Sequence, residues 1–146
     1  MEPVKPQTFS VRQAAWEKDR AALRSIRTAV FVVEQRVPED EEWDGLDAGC
    51  LHALALDAGG TPIGTGRLAP DGKIGRMAVR KEWRGAGVGA ALLQCLIQAA
   101  HARGMAECHM HAQSHALPFY SRHGFEAYGD EFLEAGIPHR RMRRRL

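Results

Sequence analysis

Apolar residues recur along this chain at two spacings, which predict a mixture of helices and strands. Intervals of three and four residues predict a helix from 16 to 33 and a longer one from 88 to 103, which is followed by Gly104. A shorter helix is predicted from 116 to 123. Alternating and short apolar runs predict seven strands, near 8–13, 50–56, 63–68, 73–79, 106–112, 125–132 and 140–146. Periodicity alone therefore indicates an α+β or α/β domain.

The length and composition are those of an ordinary globular protein. Residues 1–7 contain two prolines and no periodicity, so we expect a loose amino-terminal segment there. Residues 8–146 contain no repeat and no long linker, and we expect them to form a single domain. The chain is 45% hydrophobic and 26% charged, with neither a leader nor a long apolar run, which predicts a cytoplasmic protein with no membrane partner.

The net charge of +2 conceals two strongly charged poles. Between 34 and 47, seven acidic residues accompany a single arginine, whereas the last seven residues contain five arginines. The acidic stretch would repel phosphate and attract a cationic amine. The arginine-rich end has no interleaved aromatic residues and is typical of an edge strand with charged outward positions, so nucleic acid is not expected as a partner.

A glycine-rich turn joins the fourth predicted strand to the long helix. Gly85, Gly87 and Gly89 lack Cβ atoms, so the amide groups of the first helical turn are free to close around an anion, which the helix dipole also favours. The basic side chains beside the turn are Arg80, Lys81 and Arg84. The turn lacks the Gly-Lys-Ser/Thr of a Walker loop and the acidic residue of a dinucleotide site. It therefore predicts a phosphate-binding turn of another kind.

The turn resembles the Arg/Gln-x-x-Gly-x-Gly/Ala signature of the GNAT superfamily of N-acetyltransferases, which here is Arg84-x-x-Gly87-x-Gly89. A second block, 113–125, is similar to the family's later segment, in which a helix with Ala-x-x-Phe/Leu-Tyr ends at Gly-Phe. The two blocks lie in the family's order and cover about 73–128. The segments Val30-Phe31-x-x-Glu34-Gln35 and Gly136-Ile137-Pro138-His139 look like those of small bacterial members of the ElaA type.

The resemblance implies the GNAT fold, a central mixed and mostly antiparallel sheet flanked by helices. Its parallel fourth and fifth strands splay apart where the cofactor enters. The resemblance also implies an N-acetyltransferase that uses acetyl-CoA as co-substrate and no metal, with its glycine turn on the pyrophosphate. A valine at Gly87 is then expected to weaken acetyl-CoA binding while it leaves the Tm of the apo protein within a few degrees.

The family's residue roles map onto this chain as follows. A backbone N–H that stabilises the oxyanion falls in 77–79, at Val79. Tyr120 matches the general acid that protonates the leaving thiolate, and Gln113 stands where the family more often carries asparagine near the pantetheine arm. The residues expected to bind the cofactor are Met77, Ala78, Val79, Arg84, Gly85, Ala86, Gly87, Val88, Gly89, Ala90, Gln113, Phe119 and Tyr120.

The general base and the acceptor site stay open at this stage. Glu34, at the end of the first predicted helix, and His139, in an expected acceptor-side loop, are candidates for the base and for acceptor contacts. Asp44 and Asp47 are expected on one side of a turn, where they would bind a cationic small molecule or peptide that presents a primary amine. Each of the four also fits a solvated or purely structural residue.

Two other functions also stay open. The first is a catalytically silent, regulatory module that binds coenzyme A. The second is an acyltransferase related to the acyl-homoserine-lactone synthases, because Arg27-x-x-Val30-Phe31, Trp43-Asp44 and Asp47 resemble the amino-terminal half of those longer chains. No cysteine stands in a nucleophile setting, which favours direct attack of the amine in a ternary complex.

A metal site is not expected from the histidine-rich fifth strand. His109 and His111 share one face of that strand, whereas Cys108 lies on the opposite face. The sequence leaves a homodimer open.

Overall fold

The structure, a computed structural model, describes residues 8–146, and the loose segment predicted at 1–7 lies outside them. The strands are β1 (Phe9–Ala14), β2 (Leu51–Asp57), β3 (Pro62–Leu68), β4 (Ile74–Val79), β5 (Glu107–Gln113), β6 (Glu126–Glu134) and β7 (Ile137–Arg145). The α-helices are α1 (Trp16–Arg27), α2 (Glu39–Glu42), α3 (Val88–Ala102) and α4 (Leu117–Arg122). Each of the seven predicted strands is therefore present within the described residues.

The strands form two antiparallel sheets that meet at β4 and β5. The strand order is β1-β2-β3-β4 in one sheet and β5-β7-β6 in the other. At the start of β4 and β5 a single parallel bridge joins Lys73 to His109 within the described residues. Beyond this bridge the two strands separate toward their carboxyl ends. The predicted mixed, mostly antiparallel sheet with splayed parallel fourth and fifth strands is confirmed.

Helices cover both faces of the first sheet. On one face α3 packs through Leu92 and Leu96, which are fully buried. On the other face α1 packs through Leu23 against Leu54 of β2. A Cβ atom at Gly64 of β3 would lie 2.9 Å from the Cδ1 atom of Leu92, so glycine at this position allows α3 to pack closely. This packing holds the amino terminus of α3 beside the end of β4.

The first predicted helix, 16–33, differs from the structure. The α-helix ends at Arg27, and the chain continues as a π-helical segment, Thr28–Glu34. Four of these seven residues are β-branched, which slightly lowers their α-helix propensity. The acidic stretch that follows includes α2, which apolar spacing does not predict because all four of its residues are acidic.

The last strand starts three residues earlier than predicted, so His139 lies in β7 and not in a loop. The cause is the tight turn between β6 and β7. Ala135 and Gly136 both have positive φ, 51° and 75°, which is typical of a two-residue hairpin turn. The connection between β6 and β7 is therefore shorter than predicted, and His139 belongs to the strand.

Candidate active site

The candidate site lies where β4 and β5 separate. Val79 ends β4 and Gln113 ends β5, so these two residues mark the two sides of the gap. The N–H of Arg80 donates a hydrogen bond to the carbonyl of Ile63 in β3, at 2.8 Å. Because hydrogen-bonded residues alternate along antiparallel strands, the amide of Val79 faces away from β3 and toward the gap.

An extra residue in β4 forms a β-bulge. Arg67 pairs with Gly75 and Thr65 pairs with Ala78, so two steps along β3 oppose three steps along β4. Arg76, within the bulge, has a φ of 52°, which non-glycine residues rarely adopt. The bulge changes which backbone amides of β4 face the gap beyond it.

The glycine turn presents unpaired amides at the amino terminus of α3. Gly85 and Gly87 have φ values of 82° and 88°, and a Cβ atom at either would meet nothing within 4 Å. The first α-helical hydrogen bond runs from the N–H of Ala91 to the carbonyl of Gly87. The amides of 85–90 therefore donate to no acceptor within residues 8–146, as expected at a helix start.

The positive φ of Gly87 corrects one expectation of the sequence analysis. A side chain in this conformation is strained by about 1–2 kcal/mol, even though the space around it is open. A substitution at Gly87 is therefore not neutral for the folded apo protein. Glycine is required here by the backbone conformation as well as by the approach of an anion.

Several of the residues predicted to bind the cofactor meet at the gap. A Cβ atom at Gly89 would lie 3.6 Å from the Cζ atom of Phe119 and 3.9 Å from the Cγ2 atom of Val79. The first turn of α3 thus lies close to both the end of β4 and α4. The side chains of Ala78 and Val88 are buried in the core, so these two residues offer a ligand only their backbones, as expected for amide donors.

Arg84 and Glu34 form an ion pair at the mouth of the gap. The Nη1 and Nη2 atoms of Arg84 lie 2.5 and 2.7 Å from the two carboxylate oxygens of Glu34, and its Nε atom donates to the carbonyl of Val79 at 3.2 Å. The hydrogen bond from Arg84 lowers the pKa of the Glu34 carboxyl. A predicted base and a predicted cofactor residue are therefore bound to each other.

Gln113 is held in a similar way by the neighbouring residue, Gln35. The two side-chain amides bond reciprocally, with distances of 3.0 and 3.3 Å between nitrogen and oxygen. Residues 34–35 consequently contact both sides of the gap, Arg84 beside β4 and Gln113 at the end of β5. Sequence reasoning named Gln35 only as part of a motif and gave it no role.

Tyr120 lies on α4 in a hydrophobic environment. Its ring makes edge-to-face contacts with Phe119 and Phe125, with centroid distances of 5.0 and 6.1 Å. Burial raises the pKa of the Tyr120 hydroxyl to about 12. The phenol is therefore neutral at physiological pH and available as a proton donor.

His139 belongs to a small cluster on the β6–β7 hairpin. Its Nδ1 atom lies 2.6 Å from the carbonyl oxygen of Ile137, so Nδ1 carries the proton and Nε2 keeps a lone pair in the neutral ring. The carboxylate of Glu134 lies 3.6 Å from this Nε2 atom and 2.9 Å from Nδ1 of His111. Burial opposes the ionisation of Glu134, but the hydrogen bond from His111 leaves its pKa below the ordinary value.

The structure gives Asp44 and Asp47 partners that the sequence analysis did not foresee. The carboxylate of Asp47 is buried and lies 2.5 Å from Nη1 of Arg27 and 2.9 Å from Nη1 of Arg67. Asp44 accepts from Arg67 at 2.5 Å, which holds the pKa of its carboxyl well below the usual range. Both carboxylates are thus paired with arginines, and their role in binding a cationic acceptor stays a prediction.

This ion cluster connects the acidic stretch to the sheet. Arg27, which is 1% exposed, also pairs with Glu42 at 2.6 Å, and its guanidinium lies 4.7 Å from the centre of the Trp43 ring. Arg76 of the β4 bulge approaches the same Glu42 carboxylate, at 3.3 Å. Of the residues that resemble the acyl-homoserine-lactone synthases, Arg27, Trp43, Asp44 and Asp47 therefore belong to a cluster that contacts the bulge.

Comparison with known proteins decides the family. A family model described as an acetyltransferase (GNAT) domain matches residues 14–146. The chain belongs to the GNAT family of acetyltransferases. It is 41% identical to the uncharacterized N-acetyltransferase YjcF of Bacillus subtilis over 121 residues, which cover 80% of this chain and 86% of that protein. This GNAT protein is thus an acyltransferase, as the sequence analysis predicted.

Solved GNAT structures have the same architecture. An acyl-CoA N-acyltransferase from Pseudomonas aeruginosa is 33% identical, with a TM-score of 0.82 over 94% of this chain and 99% of that one. ElaA of Escherichia coli is 27% identical, with a TM-score of 0.82 and the same coverage. The predicted similarity to ElaA is confirmed.

Two further observations concern residues 8–146 of this GNAT chain. No group of three His, Cys, Asp or Glu side chains in this range is arranged to hold a metal ion. None of the helices in the range has the length and apolarity that a membrane span requires.

Proposed function

We propose that the protein transfers the acetyl group of acetyl-CoA to a primary amine, by direct attack in a ternary complex. The amine nitrogen bonds to the thioester carbon, the C–S bond breaks, the amine loses a proton and the thiolate gains one. The products are an N-acetylamide and coenzyme A. The observation that carries this proposal is the run of unpaired amides at 85–90, beside the gap between β4 and β5.

The proposed cofactor position follows from this arrangement. The amides of the glycine turn would bind the pyrophosphate, since they face open space and the helix dipole favours an anion. The pantetheine arm would run past Gly89 and Phe119 toward the ends of the splayed strands. The amide of Val79 would then donate to the thioester carbonyl, a contribution typically of about 3 kcal/mol.

Deprotonation of the amine is the larger chemical demand. A lysine-like amine is neutral in only about one molecule in 2,500 at pH 7, a cost of about 4.6 kcal/mol, whereas a thiolate leaves readily. We propose Glu34 and His139 as the candidates for the base. Glu34 would act after the pyrophosphate has replaced it as the partner of Arg84. His139 already has a lone pair on Nε2.

A covalent acetyl-cysteine intermediate has little support. Burial raises the pKa of all three thiols, Cys50, Cys95 and Cys108, so none is a thiolate at neutral pH. Direct attack by the amine therefore remains the proposed route.

Glu34→Gln tests the two proposed roles of Glu34 separately: its ion pair with Arg84 and its action as general base. Glu34→Gln removes the charge that holds Arg84, so we expect acetyl-CoA to bind about two- to fivefold more tightly, the range of an exposed ion pair. If Glu34 is the base, kcat falls by about 100-fold or more. Calorimetry with acetyl-CoA and steady-state kinetics measure the two effects. Glu39→Gln, on the exposed start of α2, is the control, and unchanged kcat in Glu34→Gln would leave His139 as the base.

Removal of the Tyr120 hydroxyl is expected to slow catalysis without abolishing it. Because a thiolate leaves readily, we expect Tyr120→Phe to lower kcat by about 10- to 100-fold with little change in the KM for acetyl-CoA. An unchanged kcat would show that Tyr120 only packs.

Tyr120→Phe should also change how the free energy of unfolding depends on pH in the alkaline range. In the unfolded chain Tyr120 ionises near pH 10, and in the folded protein its pKa is about 12. Stability is therefore unaffected below pH 10 and falls by about 2–3 kcal/mol as the pH rises to 12, because the unfolded state loses the proton first. Tyr120→Phe should lack this part of the alkaline loss in a denaturant titration.

The proposed function is tested by release of coenzyme A thiol from acetyl-CoA. The acceptor panel includes polyamines, amino sugars, amino acids and peptides. Turnover with any amine supports the proposal. Tight binding of acetyl-CoA without turnover on the whole panel would instead support the silent module, and no binding would contradict both.

A further inference from the structure

The arginines of β7 differ from the arginines that hold the fold together. Five arginines in the first part of the chain pair with carboxylates, namely Arg12, Arg27, Arg67, Arg76 and Arg84. In contrast, none of the five arginines between 140 and 145 lies within 4.0 Å of a carboxylate in the described part of the chain. Arg140 and Arg144 donate to the carbonyls of Gly129 and His123, whereas the exposed guanidinium groups of Arg141, Arg143 and Arg145 are available to a ligand.

Two of these arginines are held in place by aromatic rings. The guanidinium carbon of Arg141 lies 5.1 Å from the centre of the Phe132 ring, and that of Arg143 lies 4.5 Å from the centre of the Tyr128 ring. Both arginines are exposed, and they point from the same face of β7, about 7 Å apart along the strand. A guanidinium stacked on a ring keeps its N–H groups free at its edge, in the planar arrangement that fits a carboxylate.

These arginines lie on the face of the sheet that leads to the gap. Arg141 is two residues from His139, which pairs with Gln113 at the end of β5. The ring of Phe132 connects them, since it stacks on His139 at 5.9 Å and lies under Arg141. Along this face, His139 lies nearest the gap, Arg141 next and Arg143 farther away.

We propose that Arg141 and Arg143 bind carboxylate groups of the acceptor. This inference rests on the proposed function and names its substrate class: an amine that also carries carboxylates, such as an amino acid or a short acidic peptide. Bidentate pairing of each guanidinium with a carboxylate fixes the amine relative to the gap. Like charge would disfavour a polyamine at the same place.

The pairing of the acidic stretch with arginines also supports an anionic acceptor. Asp44 and Asp47, the residues expected to attract a cation, are neutralised by Arg67 and Arg27. The cations on this face without a carboxylate partner in the described part of the chain are therefore those of β7, and the nearest carboxylate to them at the gap is Glu134, 3.6 Å from Nε2 of His139. The exposed carboxylates on the strands that flank β7, such as Glu126 opposite Arg143, reduce this charge but do not contact the guanidinium groups.

A matched pair of acceptors tests the proposal. Glycyl-glutamate and glycyl-glutamine amide have nearly the same shape, but the first carries two carboxylates and the second none. We expect wild type to use glycyl-glutamate with a kcat/KM at least tenfold higher. In Arg141→Ala the KM for glycyl-glutamate should rise about tenfold or more, with unchanged KM values for acetyl-CoA and for the amide. Arg141→Lys should recover only part of the loss, because it keeps the charge without the planar fork.

Arg145→Ala is the matched control. Arg145 is exposed on the same face of β7 and also lacks a carboxylate partner within residues 8–146, but no aromatic ring there holds it, and it is farthest from the gap. It should behave like wild type with both acceptors. An equal change in KM for both acceptors in Arg141→Ala, or a preference of wild type for spermidine, would overturn the proposal.

A binding measurement keeps this inference distinguishable from the proposed function. With acetyl-CoA present, titration of glycyl-glutamate should shift the NMR signal of the Arg141 Nε–H group, whether or not turnover occurs. An unmoved signal overturns the acceptor site alone. Absence of acetyl-CoA binding in calorimetry would contradict the proposed function instead.

Discussion

Alanine at Gly87 is expected to weaken acetyl-CoA binding by about 100-fold. The residue caps α3 with a φ of 88°, so a Cβ atom forces the turn to rearrange and moves the amides that would bind the pyrophosphate. Loss of two hydrogen bonds to a charged group costs about 3 kcal/mol, and each 1.4 kcal/mol corresponds to about tenfold in affinity. Calorimetry with acetyl-CoA measures the change directly.

The chain offers a matched control at the other end of the same helix. Gly104 follows α3 and has a φ of 74°, and a Cβ atom there would likewise meet nothing within 4 Å. Gly87→Ala and Gly104→Ala should therefore lower the Tm by similar amounts, for a cost of about 1–2 kcal/mol each. Only Gly87→Ala should change the affinity for acetyl-CoA. Equal affinities in the two variants would show that the turn does not hold the cofactor.

Removal of the Asp47 carboxylate is expected to destabilise the protein by about 3–5 kcal/mol. Asp47→Ala leaves the buried guanidinium of Arg27 and that of Arg67 without one of their counter-charges, and breaking a buried ion pair typically has this cost. The Tm should fall by about 10 °C or more for a domain of this size. Thermal unfolding followed by circular dichroism measures it.

Asp40, an exposed residue of α2, provides the comparison within the same acidic stretch. Asp40→Ala should change the stability by no more than about 0.5 kcal/mol. If Asp47 bound the acceptor instead, its replacement would raise the acceptor's KM and leave the Tm unchanged. That result would contradict the structural role that the ion pairs assign to it.

Local sequence pattern predicted the strands and the glycine turn because both depend on neighbouring residues. Alternation along a strand and the lack of side chains at Gly85 and Gly87 act within a few residues. The β4 bulge at Arg76 was not predicted, because strand alternation does not show an extra residue, and the contact of Arg76 with Glu42 joins residues more than 30 positions apart. The π-helical segment was read as α-helix because its apolar spacing still fits a helical face.

The side-chain pairs around the site could not be predicted from local pattern either, because their members are far apart in sequence. Glu34 and Arg84 are 50 residues apart, and Gln35 and Gln113 are 78 apart. One signal could have revealed the ion cluster: Arg67 is the one charged residue of the β3 segment, Pro62–Leu68. A cation there requires a buried counter-charge, and the acidic stretch was the nearest source. The carboxylates of Asp44 and Asp47 are its partners in the structure.

The separation of β4 and β5 changes how many borders the sheet has. An open sheet has two borders, at its outermost strands, and exposed borders invite pairing with other chains. Here two more borders face each other across the gap between β4 and β5. Backbone groups on these two borders can hydrogen-bond to a thin, extended ligand between the strands without promoting aggregation. Such a fold has unpaired backbone N–H and C=O groups at its centre, while its outermost strands stay protected.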